Sequence, residues 1–178
     1  DLHSFPTRRS SDLLLARGEL RANDPVMIVC PNILCNKWRS ELREKFLMDD
    51  YFVHDGKSLT YLLSEIKETG KVQYPHSIVS EQLFRGEKYQ QMLKDCVEEV
   101  GEPIFRLLII DECHHYRNPG TNTHRFGATL SLASDRVVML SATPFNLRSD
   151  DLYNQLHILN PALFTDQHVF NHLLKQIR

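Results

Sequence analysis

The sequence predicts an α/β fold, a mostly parallel sheet flanked by helices. Two observations carry that reading. Three short apolar runs, Val26–Cys30, Leu107–Ile110 and Val137–Leu140, are continuous rather than alternating, as strands buried on both faces are. Between them lie longer stretches with apolar residues at helical spacing, so helices alternate with about five strands.

Residues 1–13, DLHSFPTRRSSDL, stand apart. They are polar and lack periodicity, and they resemble translated adapter sequence, so they are read as an artefactual or disordered tail before a domain over 14–178. Leu14–Ala22 reads as the end of a helix, and Asn23-Asp24-Pro25 as a turn into the first strand. After Pro31-Asn32, a helix over Ile33–Phe46 carries Leu34, Trp38, Leu42 and Phe46 on one stripe. Trp38 is read as a core anchor rather than a base-stacking residue. Lys37, Arg39, Arg43 and Lys45 form a solvated face, with phosphate contact the alternative.

Tyr51–His54 is a short strand. The following Asp55-Gly56-Lys57-Ser58 imitates the tail of a phosphate-binding loop, but Tyr51 stands where that loop needs its first glycine. The segment is therefore read as a loop into a helix over Leu59–Glu68. Ser77–Leu83 runs from strand into helix, with Ser80 a candidate N-cap. Lys88–Val100 is an amphipathic helix stopped by Gly101-Glu102-Pro103. The Leu107–Ile110 strand delivers Asp111-Glu112-Cys113-His114 to the carboxyl edge of the sheet, where open α/β sheets bind ligands. Two acids at a buried strand end are costly unless a cation occupies the site; a hydrated Mg²⁺ carrying a nucleotide phosphate is the expected occupant. Asn118-Pro119-Gly120 turns into a helix over His124–Ser134. The last strand, Val137–Leu140, ends in Ser141-Ala142-Thr143-Pro144. Ser149 is expected to cap a helix reaching Leu159, Asn160-Pro161 ends it, and Val169–Ile177 begins another.

Composition narrows the class. The 178 residues are 42% hydrophobic and 25% charged, as in a single globular domain rather than a disordered chain. A formal charge of −2 advertises no global attraction to nucleic acid, so any such contact must be local or supplied by other parts of a longer protein. No apolar stretch reaches membrane-spanning length, and no secretory signal pattern is seen. The four cysteines form no C-x-x-C pair, which points to reduced thiols in a cytoplasm.

The DECH box at 111–114, the SATP at 141–144 and the following PFNLRSDDLYNQLHILNPALF together resemble motif II, motif III and the segment after it in Swi/Snf-like superfamily 2 helicases and DNA translocases. VMIVCPNILCNKWRSELREKF resembles motif Ia of that group, and Ser77–Leu83 its motif Ib. The resemblance covers roughly Leu14 to the end. It implies the first RecA-like (P-loop NTPase) lobe of a two-lobed motor using ATP and Mg²⁺. Asp111 would hold the Mg²⁺ and Glu112 would orient and deprotonate the attacking water. His114 would couple the nucleotide site to motif III, with Ser141, Ala142 and Thr143 relaying nucleotide state. Pro31 and Ser80 would lie near the DNA backbone. For Ser141 and Thr143, simple capping of the strand end is the alternative.

The resemblance also implies what is missing. The phosphate loop should precede motif Ia, and a second RecA-like lobe in cis should supply the arginine finger, so the lobe is read as incomplete and inactive alone. The missing phosphate-loop strand is expected beside the motif II strand, leaving a gap inside the sheet. The implied partner is double-stranded DNA, in a cytoplasm of prokaryotic type, with nucleoid association compatible. A strand-separating or restriction-type lobe is the nearest alternative. A non-catalytic interaction module, or a metal-binding module in which Cys30, Cys35, Cys113 and His114 converge, is the alternative from another class.

Overall fold

The computed structural model describes residues 20, 21, 23–72, 74–141 and 149–177. Five strands form one sheet: β1 (Val26–Cys30), β2 (Phe52–His54), β3 (His76–Ser80), β4 (Leu107–Ile110) and β5 (Val137–Met139). Their spatial order is β2-β3-β1-β4-β5, and each neighbouring pair is parallel. The three apolar runs are thus strands of one parallel sheet, and the two most central, β1 and β4, are buried throughout.

Alternation along the strands splits the core in two, because successive side chains point to opposite faces. Met27, Val29, Leu108 and Ile110 meet Leu59, Leu62, Leu63 and Ile66 of α2 (Gly56–Thr69) on one face. That face also holds Leu93 and Cys96 of α4 (Glu87–Val100), Phe126 and Leu130 of α5 (Asn122–Leu132) and Ile158 of α6 (Ser149–Leu159). Val26, Ile28, Cys30, Leu107 and Ile109 face the other way, onto Cys35 and Trp38 of α1 (Cys35–Phe46). The short α3 (Glu81–Phe84) follows β3 directly, and α7 (Gln167–Ile177) packs on α6.

Several helix starts differ from the sequence reading for a local reason. A 3-10 turn over Asn32–Leu34 precedes α1, which begins at Cys35 rather than Ile33. α2 begins at Gly56, not Leu59. Asp55 Oδ1 accepts from Lys57 N at 3.0 Å and Ser58 N at 2.8 Å, while Ser58 Oγ accepts from Asp55 N at 2.9 Å. This is a reciprocal capping box, and the Asp55 carboxylate occupies the helix start where an anion would bind. Gly-Lys-Ser here is a first helical turn closed by its own acid, which agrees with rejecting it as a phosphate cradle. Ser149 is the first residue of α6 itself. Tail 1–13 and the Leu14–Ala22 helix lie outside the described residues, apart from Leu20 and Arg21.

The expected gap beside β4 is not found. β4 pairs with β1 on one side and with β5 on the other, in registers Val26↔Leu107 and Leu108↔Val137. A bridge between Phe105 and Ser134, with Asp135 N donating to Phe105 O at 2.8 Å, sets β5 directly against β4 before either strand begins. Among the described residues the open edges belong to β2 and β5.

One contact fixes the turn after β4 to the helical layer. A Cβ at Gly127 of α5 would fall 2.6 Å from Tyr116 Cδ1 and 3.3 Å from Ile158 Cδ1. Tyr116 is fully buried, so its ring has no free direction to retreat. Gly127→Ala gains ~1 kcal/mol of helix propensity. Overpacking a filled core costs ~1–3 kcal/mol. The variant is expected to be net destabilised by ~1–2 kcal/mol, the difference of those two effects. A urea midpoint equal to or above that of the parent would show instead that the Tyr116 ring yields.

Candidate functional site

The carboxyl edge collects the predicted site residues. Asp111 continues the β4 ladder, its N–H donating to Val29 O at 2.9 Å, so its side chain leaves the sheet where the strand ends. It is 7% exposed. Oδ2 accepts from Trp38 Nε1 at 2.8 Å, and Oδ1 accepts from Glu112 N at 2.9 Å. Burial pushes the Asp111 acid above the usual carboxylate range, and those two hydrogen bonds oppose the shift. Each oxygen keeps lone-pair capacity after one N–H bond. A buried carboxylate held in place by two N–H donors fits a divalent cation taken through one or two carboxylates.

Glu112 is one of two non-glycine residues with positive φ among the described residues, at φ 52° and ψ 45°. That left-handed conformation is uncommon for a residue with a Cβ, and such strain clusters at functional sites. It turns the chain out of β4 into the 3-10 turn Cys113–Tyr116. Glu112 Oε2 lies 3.1 Å from His114 Nδ1. That nitrogen is buried and out of line for a hydrogen bond, so the contact is one of proximity only. Cys113 N donates to Leu140 O at 2.8 Å, and Leu140 N to Ile110 O at 2.8 Å. These bonds set Ser141 beside the DECH turn. Ala142 and Thr143 lie outside the described residues.

Pro31 directly follows β1 and Ser80 ends the neighbouring β3, and the Gln82 side chain bridges Ser80 to Asn32, the residue after Pro31. Ser80 Oγ caps α3, accepting from Leu83 N at 3.2 Å, and donates to Gln82 Oε1 at 3.3 Å. Gln82 Oε1 also accepts from Asn32 N at 2.9 Å. Capping is therefore what Ser80 visibly does. An open depression of about 600 Å³ lies alongside, lined by Asn32, Cys35, His54, Ser80 and Gln82 among others. On α1, Lys37 and Lys45 pair with Glu41, at 4.0 and 3.2 Å, and Arg43 with Glu44 at 3.8 Å, which is a solvated charged face.

Sequence reasoning missed two contacts. Trp38 is a core anchor, 3% exposed, but its indole N–H also holds Asp111. The available signal was that a buried indole N–H needs an acceptor. His115 brings Nδ1 to 3.1 Å from Oε2 of Glu81, which is 2% exposed. Arg85 Nη1 donates to Glu81 Oε1 at 3.3 Å and to Thr123 Oγ1 at 3.0 Å. This cluster ties the end of β3 to the DECH turn.

The convergent metal module is not formed. Cys30 and Cys35 belong to one face of the sheet and Cys113 to the other, where its Sγ lies 3.9 Å from Gln155 Oε1. Among the described residues no group of three or more His, Cys, Asp or Glu is placed to hold a metal ion. None of their helices is long and apolar enough to cross a membrane.

An all-parallel sheet with an acid pair at the carboxyl end of a central strand is the arrangement of a RecA-like lobe. The chain belongs to the SNF2-related domain family, whose model matches residues 11–177. It is 25% identical over 154 residues to a Caenorhabditis elegans homologue of SWI/SNF-related matrix-associated actin-dependent regulator of chromatin subfamily A-like protein 1, covering 84% of this chain and 20% of that protein. It is 27% identical over 149 residues to the uncharacterized ATP-dependent helicase YqhH of Bacillus subtilis, covering 82% and 22%. Its fold matches the Sulfolobus solfataricus SWI2/SNF2 ATPase core in complex with dsDNA with a TM-score of 0.67 at 18% identity, covering 94% of this chain and 31% of that one. The chain thus spans about a fifth of these curated relatives.

Proposed function

We propose that the chain forms part of the ATP-binding lobe of a Swi/Snf-like DNA-dependent ATPase, coupling hydrolysis to movement along double-stranded DNA. The observation that carries the reading is the Asp111–Glu112 pair at the end of β4, one acid buried and held by two donors, the next strained and half-buried. Asp111 is assigned to hold Mg²⁺, fixed in direction by Trp38 and the Glu112 N–H. That ion supplies charge neutralisation on the nucleotide phosphates. Glu112 orients the attacking water and accepts its proton, a role that needs an ionised carboxylate within reach of the water. His114 lies against Glu112, and Ser141 lies beside the DECH turn. With Ala142 and Thr143 they are assigned to pass nucleotide state onward. Pro31 and Ser80, at the same edge, are assigned to the DNA side.

Two parts of such a motor must come from elsewhere. The sequence carries no G-x-x-x-x-G-K-[ST] loop to cradle phosphates. Transition-state charge also needs a cation from a second lobe, in cis in this reading. The chain by itself is therefore expected to release phosphate from ATP no faster than its Glu112→Gln variant, with or without duplex DNA. Joined to a phosphate loop and a second lobe, it should hydrolyse ATP in a duplex-dependent way. Glu112→Gln should then abolish that dependence while nucleotide binding persists. A Glu112→Gln protein that keeps the parent's DNA-stimulated rate would sink this assignment.

A further inference from the structure

Two thiols that the proposed mechanism leaves unused meet at the edge of the site. Cys30 is the last residue of β1 and Cys35 the first of α1, separated by the Pro31 turn. Their Sγ atoms lie 3.6 Å apart, both residues are buried, and neither is in a disulfide. A disulfide needs about 2 Å between sulfurs, so bridging requires the two side chains to move together from this contact.

The two thiols are not equivalent. Cys35 is one of the residues lining the 600 Å³ depression, though itself only 3% exposed. Cys30 lies behind it, fully buried. Cys35 also sits at the start of a 12-residue helix, where the backbone N–H groups favour a negative sulfur. The hydrogen bond shared with Cys30 pulls the Cys35 thiol below its ordinary value. That same bond, with burial, pushes Cys30 up. Position beside the depression, helix position and acidity therefore select the same sulfur as the nucleophile. Cys96 and Cys113 have no thiol partner among the described residues; Cys96 Sγ donates to Leu63 O at 3.0 Å, and burial raises both acids.

We infer that Cys30 and Cys35 form an oxidant-responsive dithiol, in which Cys35 takes a small hydroperoxide from the depression and Cys30 resolves it to a disulfide. The Cys35 thiolate attacks one peroxide oxygen, giving a sulfenic acid and releasing hydroxide, which takes a proton to become water. Cys30 sulfur then attacks the sulfenic sulfur. The S–S bond forms, the S–O bond breaks, and the Cys30 proton leaves with that oxygen as a second water. Two thiols lose two electrons and hydrogen peroxide is reduced to two waters. The link would strap the end of β1 to the first turn of α1, one turn before Trp38, whose indole holds Asp111. This inference stands on the thiol geometry and does not depend on the proposed function.

The test treats the full chain, folded and reduced, with a small excess of hydrogen peroxide, then denatures it, alkylates it with iodoacetamide and maps it by mass. Trypsin leaves both cysteines in one peptide, Ala22–Lys37. That peptide is expected to lose two hydrogens and take no alkyl group, and dithiothreitol should restore two alkylations. Peptides bearing Cys96 and Cys113 should be alkylated in full, which also reports that the chain was folded. In Cys30→Ser, dimedone should capture Cys35; in Cys35→Ser, Cys30 should stay reduced. The inference is overturned if Cys30 and Cys35 stay reduced, if Cys35 passes to sulfinic acid without the link, or if all four cysteines react at one rate.

Discussion

Trp38→Ala is expected to destabilise the chain by ~4 kcal/mol, and Trp38→Phe by ~1–3 kcal/mol. Trp38 is 3% exposed and anchors α1 to the second face of the sheet, so truncation removes a large buried ring and leaves a cavity. Such changes cost ~3–5 kcal/mol. The lost indole N–H leaves Asp111 Oδ2 without its donor, a further penalty that water entering the open edge offsets in part. Phenylalanine keeps most of the ring and none of the donor, so the phenylalanine variant isolates the hydrogen bond. Against a total stability of ~5–15 kcal/mol for a typical domain, the alanine variant loses a large share. Urea unfolding of parent and both variants measures this. If Trp38→Phe matches the parent, Trp38 is a packing residue only, and Asp111 is held by Glu112 N–H alone.

That contact also shows where sequence reasoning stops. The strands were legible because β1 and β4 are buried on both faces, and only continuous apolar runs satisfy that. Asp111 and Glu112 were legible because acids directly after such a run need a reason to be there. The Trp38–Asp111 bond joins residues 73 apart, and no local pattern encodes that distance. The Cys30–Cys35 meeting likewise depends on how sharply Pro31 turns the chain into α1. The start of α2 was missed because Asp55 and Ser58 cap each other with the acid first, the reverse of the usual Ser/Thr-x-x-Glu signal. The supposed gap beside β4 came from family resemblance rather than from residues. The pairing with β5, set by the Phe105–Ser134 bridge, filled it.

Between pH 6.5 and about 4 the chain is expected to lose ~3 kcal/mol of stability through His54 alone. His54 ends β2 and is 4% exposed. Ser77 Oγ donates to Tyr74 O at 3.2 Å, so it accepts at 3.0 Å from His54 Nε2, which assigns the neutral tautomer with the proton on Nε2. Nδ1 is buried with no hydrogen-bond partner. Burial pushes the imidazole down to about 4, against weaker opposing effects from the Ser58 backbone and the Asp55 carboxylate. The unfolded chain binds a proton at His54 below about pH 6.5, and the folded chain resists until about pH 4. In that window the unfolded state holds more protons, so stability falls as pH falls, and below it His54 causes no further loss. Asp111 acts in the opposite sense. Its folded acid is raised by burial, so acidification from its folded value toward its ordinary one favours the folded chain. His54→Gln removes the first effect and leaves the second. Its stability, whatever its value at neutral pH, should be flatter than the parent's across this window by ~3 kcal/mol. Parallel acid limbs in the two proteins would place the protonation elsewhere.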